Sequence, residues 1–131
     1  MLWDVVLCNE FDAEFQVMAE GLQDELLAHA LLLREYGPDL GRPTVDTLNA
    51  SQYSNMKELR FSWPGEVWRV AFAFDPKRQA VLLVGGNKAG VNQKRFYQRL
   101  IHVADERYRK YLAERATAQQ EKRGGKHGKK S

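Results

Sequence analysis

The sequence predicts an α+β fold: a mostly antiparallel four-stranded sheet with helices packed on one face, in the order strand-helix-strand-strand-strand-helix. Three observations predict it. Residues 56–92 read as three strand runs separated by two turn signals, the first two alternating and the third nearly all apolar. Apolar residues at helical spacing flank that stretch on both sides, and a short apolar run stands at the head of the chain. With 131 residues, 44% of them hydrophobic, the chain suits one core. That domain is expected over residues 1–114, followed by a basic tail at 115–131.

Residues 3–7 (Trp-Asp-Val-Val-Leu) are apolar enough for a buried strand. Asn9 is the expected cap of the helix that follows, with Glu10, Asp12 and Glu14 where the positive helix end favours carboxylates. Phe11, Phe15, Met18, Leu22, Leu26, Ala30 and Leu33 mark one buried face of a helix to about Tyr36, with Gly21 as the point where it would break. Gly37-Pro38 is a stop signal. Residues 37–55 fit neither period and read as a long loop, in which 44–48 form either a turn of helix or an extended edge.

In the next run Leu59, Phe61 and Trp63 point one way, and Glu58, Arg60 and Ser62 the other. After Pro64-Gly65, Trp68, Val70, Phe72 and Phe74 alternate with Val67, Arg69, Ala71 and Ala73. The second set is small apart from Arg69, which suits a sheet face left open. Asp75-Pro76 opens the second turn, and residues 80–86 are apolar enough for a strand covered on both faces. Asn92 is the expected cap of the last helix, which is drawn to about Glu114. Phe96, Leu100, Val103, Ala104, Tyr108, Tyr111 and Leu112 form its buried stripe, and Asp105 with Arg109 and Glu106 with Lys110 form i, i+4 pairs. Beyond Ala116 the composition is that of a disordered segment.

Charge is unevenly spread. Residues 1–55 carry ten acids against Arg34 and Arg42 (net −8), residues 56–114 twelve bases against six acids (+6), and residues 115–131 six bases against Glu121 (+5). A basic half implies an anionic partner for one side of the molecule, or else a solvated basic helix face. The lone Cys8 leaves no internal disulfide and fits a reducing, cytoplasmic setting. No signal-peptide pattern or membrane-length apolar run is visible, so no membrane partner is expected.

The sequence has no phosphate-binding loop, dinucleotide fingerprint or metal-ligand cluster, so neither metal nor cofactor is expected. His29, His102 and His127 are scattered, and Cys8 reads as a small buried hydrophobe. A basic constellation remains. Arg60 and Arg69 lie on adjacent strands, Lys57 begins the first of them, and Lys88 follows the third. Lys94, Arg95 and Tyr97 open the last helix, with Arg99 a turn on. Forked guanidinium groups and ammonium charges hold phosphates well. The plainer reading pairs Arg60 and Arg69 with Glu58 and Glu66 on the sheet surface.

Lys-Glu-Leu-Arg-Phe (57–61), Val-Trp-Arg-Val-Ala-Phe-Ala-Phe-Asp-Pro (67–76), Val-Leu-Leu-Val-Gly-Gly-Asn-Lys (81–88) and Asn-Gln-Lys-Arg-Phe-Tyr (92–97) resemble the RelE/HigB-type toxins of type II toxin–antitoxin modules. The similarity is greatest to the phage-derived HigB-like branch of the RelE/ParE superfamily. It implies a microbial-RNase-like fold and metal-independent, ribosome-dependent cleavage of mRNA, in which a ribose 2′-hydroxyl attacks the adjacent phosphate. It also implies a cognate helix-turn-helix antitoxin. Carried over by position, Arg69, Arg60, Lys57, Lys88 and Tyr97 become the catalytic candidates; Lys94, Arg95 and Arg99 are candidate RNA contacts. Lys57, if crowded by the two arginines, is a candidate base. Two other readings stand beside this one: a ParE-like toxin that inhibits DNA gyrase and cuts nothing, and a general nucleic-acid-binding module.

Overall fold

The computed structural model describes residues 2–128, with side chains through residue 120. Its elements are β1 (Asp4–Leu7), α1 (Asn9–Gln16), α2 (Glu20–Tyr36), β2 (Val45–Thr47), β3 (Met56–Trp63), β4 (Glu66–Phe74), β5 (Gln79–Asn87) and α3 (Gln93–Gly128), with a 3₁₀ turn at Gly37–Asp39. The sheet has five strands in the order β1-β5-β4-β3-β2. β1 runs parallel to β5, and every other pair is antiparallel.

The extra strand is β2, so the four-strand expectation is corrected and 44–48 takes its extended alternative. Val45 is buried and pairs with Leu59, while the Arg60 amide donates to the Thr44 carbonyl at 2.7 Å. This short strand covers the backbone groups that β3 would otherwise leave unpaired.

The first helix is two helices, and it breaks at residues 17–19 rather than at Gly21. The Gln23 side-chain amide reaches back to the Phe15 carbonyl at 2.7 Å, satisfying an acceptor that the break releases. Gly21 serves packing instead: a Cβ there would stand 2.6 Å from the Trp63 indole. Asn9 is the first residue of α1 and Cys8 occupies its cap position without a side-chain bond to the helix. Asn92 does cap α3, its Oδ1 accepting the Arg95 amide at 2.8 Å.

Helices cover both faces of the sheet, which corrects the expectation of one open face. Phe11, Leu22, Leu26 and Leu33 of α1 and α2 belong to the same core as Val70, Phe72 and Phe74, and His29 stacks on Phe61. α3 covers the opposite face, where Ala71 and Ala73 are fully buried beside Leu100, Ala104 and Tyr108. The small residues of β4 therefore make room for a helix of the same chain. A register shift between β4 and β5 leaves Leu83 as an extra residue. Its carbonyl accepts the Arg107 guanidinium at 2.8 Å and the Cys8 thiol at 3.5 Å.

α3 continues past Glu114 to Gly128, and residues 129–131 lie outside the described residues. Arg115 holds this extension, donating to Asp75 at 3.0 Å and also to the Gln79 side chain. Asp75 is buried and accepts the Lys77 and Gln79 amides, both at 2.9 Å, which closes the β4–β5 turn. The expected pairs along α3 exchange partners: Asp105 binds Ser51 and the Gln52 amide, Arg109 pairs with Glu106, and Lys110 bonds Glu10 at 2.8 Å. No helix among the described residues is long and apolar enough to cross a membrane.

Phe72 is fully buried at the centre of the sheet, whereas Val67 on the same strand is exposed. Truncating Phe72 to Ala should cost about 3–5 kcal/mol in urea unfolding, while Val67→Ala should change stability by less than about 0.5 kcal/mol.

Candidate active site

Alternation on β3 and β4 determines which charged residues can meet. Arg60 and Arg69 are directly paired across these strands, and Glu58 pairs with Ala71, so all three side chains share the face under α3. Lys57 pairs with Phe72 and belongs to the opposite face, where its ammonium donates to Thr47 Oγ1 at 3.1 Å. It is not crowded by the two arginines, and this placement corrects its role as the candidate base.

Arg69 is only 9% exposed. Its Nε donates to the Tyr97 hydroxyl at 2.8 Å, and that hydroxyl donates to Glu58 Oε1, also at 2.8 Å. Nε lies 3.8 Å from the same carboxylate oxygen, and Nη1 reaches the Val67 carbonyl at 3.4 Å. The guanidinium carbon stands 5.8 Å from the Phe96 ring centre and 5.7 Å from that of Tyr97. A cation, a hydroxyl and a carboxylate are thus joined in one chain contributed by β4, α3 and β3. Burial, and then the hydrogen bond to Glu58, push the Tyr97 phenol above its ordinary range, so it carries its proton at neutral pH.

Arg60 turns from this chain toward the sheet edge, where its guanidinium meets Asp46 at 3.3 Å and Arg42 approaches the same carboxylate at 3.7 Å. The plainer pairing expected from the sequence is therefore met for Arg69 with Glu58. Arg60 uses Asp46, and Glu66 accepts instead from the Trp68 indole at 2.7 Å. Lys88 lies just beyond β5 and donates to Gln93 at 3.1 Å. Lys94, Arg95 and Arg99 are exposed on α3, but on two different hollows. Lys94 lines one with Tyr97, Gln98 and His102, while Arg95 and Arg99 line another beside β5.

Glu58 and Phe96 are the functional candidates that sequence reasoning passed over. The sequence presents Glu58 as an ion-pair partner, and its parity with Arg60 is the signal that places it on the same face. Phe96 was counted as core. His29 bonds the Glu25 carbonyl and stacks on Phe61, and burial raises the pKa of the Cys8 thiol, so both have packing roles. The His127 side chain lies outside the described residues.

Changing Tyr97 to Phe should destabilise the fold by about 1–3 kcal/mol, because Glu58 loses its hydroxyl donor in a buried site. The pH dependence has a definite sign. A phenol with a raised folded pKa supports the fold fully below about pH 10 and loses that support as pH rises through the folded value. Alkaline destabilisation, followed by circular dichroism, should be shallower in Tyr97→Phe than in the parent; an unchanged slope would contradict the Tyr97–Glu58 bond.

Residues 13–109 match the family described as "Phage derived protein Gp49-like". Among curated proteins, the chain is 55% identical over 82 residues to the Mycobacterium tuberculosis protein named "Putative toxin HigB3", an overlap of 63% of this chain and 69% of that one. It is 46% identical over 99 residues to "Putative toxin HigB2" of the same organism, covering 74% of this chain and 48% of the relative, about half its length. The matched residues take in β3, β4, β5 and the start of α3, where Glu58, Arg69 and Tyr97 lie. The chain is a HigB-type member of the phage-derived Gp49-like family.

Proposed function

We propose that this protein is the toxin of a toxin–antitoxin module and that it cuts mRNA on the ribosome. Membership of a family whose curated relatives are named as HigB toxins supports the first part. The observation that carries the second is the Arg69–Tyr97–Glu58 chain, which joins a phosphate-binding cation to a proton acceptor through 2.8 Å hydrogen bonds. In this reading the ribose 2′-hydroxyl attacks the adjacent phosphorus. Its proton passes to the Tyr97 oxygen as the Tyr97 proton moves to Glu58. Arg69 stabilises the charge that builds on the phosphoryl oxygens, and the 5′-oxygen leaves and takes a proton from solvent, to which Glu58 returns the one it received. The products are a 2′,3′-cyclic phosphate and a 5′-hydroxyl, and no step calls for a metal. The ribosome supplies substrate alignment, an effect that reaches roughly 7–11 kcal/mol in favourable systems.

In this reading Arg60, next to Arg69 in register, Lys88 at the end of β5 and exposed Lys94, Arg95 and Arg99 supply further phosphate contacts. A helix-turn-helix antitoxin is the expected neutralising partner, and the cytoplasm the site of action. One observation favours a second reading, a non-nuclease toxin acting on DNA gyrase. Arg60 and Arg69 are already engaged by Asp46 and Glu58, which suits a protein that binds without cutting.

Regulated expression in a bacterium with mapping of mRNA 5′ ends separates the two. Cuts within translated codons support the nuclease, whereas arrest with intact mRNA and DNA damage supports the gyrase reading. Replacing Arg69 by Ala should abolish toxicity, and Glu58→Gln should lower cleavage by about 10²–10⁴-fold if the carboxylate is the base. Lys57→Ala, on the opposite face, should leave cleavage intact; its loss would restore Lys57 to the mechanism.

A further inference from the structure

The margin of β5 is only half covered. β1 pairs with it at Gln79, Ala80, Val81 and Leu82, so residues 84–87, paired with β4 on one side, extend past the end of β1 with no strand on the other side among the described residues. The first half of α3 passes next to this margin, and a groove of about 700 Å³ lies between them. Gly85, Gly86 and Asn87 form one wall, Val91 and Phe96 supply apolar surface, and Arg95 and Arg99 carry the charge. Neither guanidinium has an acceptor among the described residues. Arg107 also reaches the groove, but Glu14 neutralises it through bonds of 2.8 and 2.6 Å. The groove therefore holds two unanswered positive charges.

We propose that this groove binds a single strand of RNA through its phosphates and is the path by which substrate reaches Arg69. The proposal rests on the nuclease reading and extends it to the lie of the substrate. Arg95 and Arg99 are one helical turn apart, about 5–6 Å between their Cβ atoms, a step comparable to that between successive phosphates of an extended strand. Guanidinium forks suit phosphate oxygens. Gly86 presents backbone without a side chain beside Phe96, so a sugar–phosphate chain can come close there, whereas the absent side chain of Gly85 makes room for Val70, Phe11 and Trp68. Phe96 offers a ring to a base, and stacking of that kind is tolerant of sequence.

The groove also leads to the candidate chemistry. Gly86 is the register partner of Arg69, and Phe96 lies against both Gly86 and the Arg69 guanidinium. An acidic polypeptide would also satisfy the two charges; a ring placed for base stacking beside two guanidinium groups favours nucleic acid. Lys94 opens on the other hollow and is not part of this path.

The test is binding of a short, fluorescently labelled 2′-O-methyl RNA to the full chain without ribosomes, read by anisotropy over a range of salt. This probe cannot be cut, so the result is independent of whether the protein is a nuclease. The Arg95→Ala/Arg99→Ala double variant should bind about tenfold or more weakly, with a salt slope reduced by about 1.4, the value for two lost single-strand phosphate contacts. Lys77→Ala removes one charge from the exposed β4–β5 turn and should match the parent in both respects. Parental affinity and slope in the double variant would overturn the proposal, as would absence of RNA binding by the parent. Displacement of the RNA by poly-glutamate at equal charge concentration would also overturn it, in favour of an acidic protein partner. Should RNA bind here while Arg69→Ala still arrests growth, the nuclease mechanism would fail and the groove assignment would stand.

Discussion

A guanidinium beneath a helix must be answered by acceptors, and the placement of Arg69 organises the elements around it. Leaving such a charge unpaired in the interior costs several kcal/mol, so neighbouring elements have to bring acceptors to it. β3 contributes Glu58, β4 the Val67 carbonyl and α3 the Tyr97 hydroxyl, with two aromatic rings against the cation. Each contribution restrains a backbone. The register of β3 on β4 places Glu58 on the correct face, and the start of α3 must lie where Tyr97 can bridge the two charges. The same interactions that seat the helix thus assemble the cation, hydroxyl and carboxylate on which the proposed chemistry depends.

The charge asymmetry of the sequence is partly consumed inside the molecule. Glu10 and Glu14 of the acidic first helix bind Lys110 and Arg107 of the basic last one, and Asp46 holds Arg42 and Arg60. Exposed pairs of this kind contribute little each, but together they align α1 with α3 and leave the positive surface smaller than a count of residues suggests. What survives unpaired on the first half of α3 is Lys94, Arg95 and Arg99, and only the two arginines share one groove. A net charge describes a chain; a residual charge describes a surface, and only the second is available to a partner.

The local parts of the fold were legible because they rest on short-range rules. The parity of β3 and β4, the Asp75 turn and the Asn92 cap all follow from neighbours within a few residues. What escaped the sequence was tertiary. Ala71 and Ala73 announced that something lies against their face, but small residues admit a helix as readily as a ligand, and the occupant proved to be α3. The break at 17–19 carries no proline or glycine; Gln23 supports it from the next helix. Lys57 appeared close to Arg60 in sequence, yet an odd separation on a strand puts the two on opposite faces. The same parity puts Glu58 on the face of Arg60 and Arg69.

The parallel contact between β1 and β5 joins residues more than seventy positions apart, and the candidate chain draws on residues 58, 69 and 97. Pairings this distant form late, since the intervening chain must be ordered first. During synthesis β1 waits for β5, and Arg69 waits for Tyr97, so no partial chain that ends within the sheet possesses the assembled site. The ribosome making this protein therefore faces only an unfinished chain, and the site comes into existence after most of the domain has emerged. Topology alone imposes that delay.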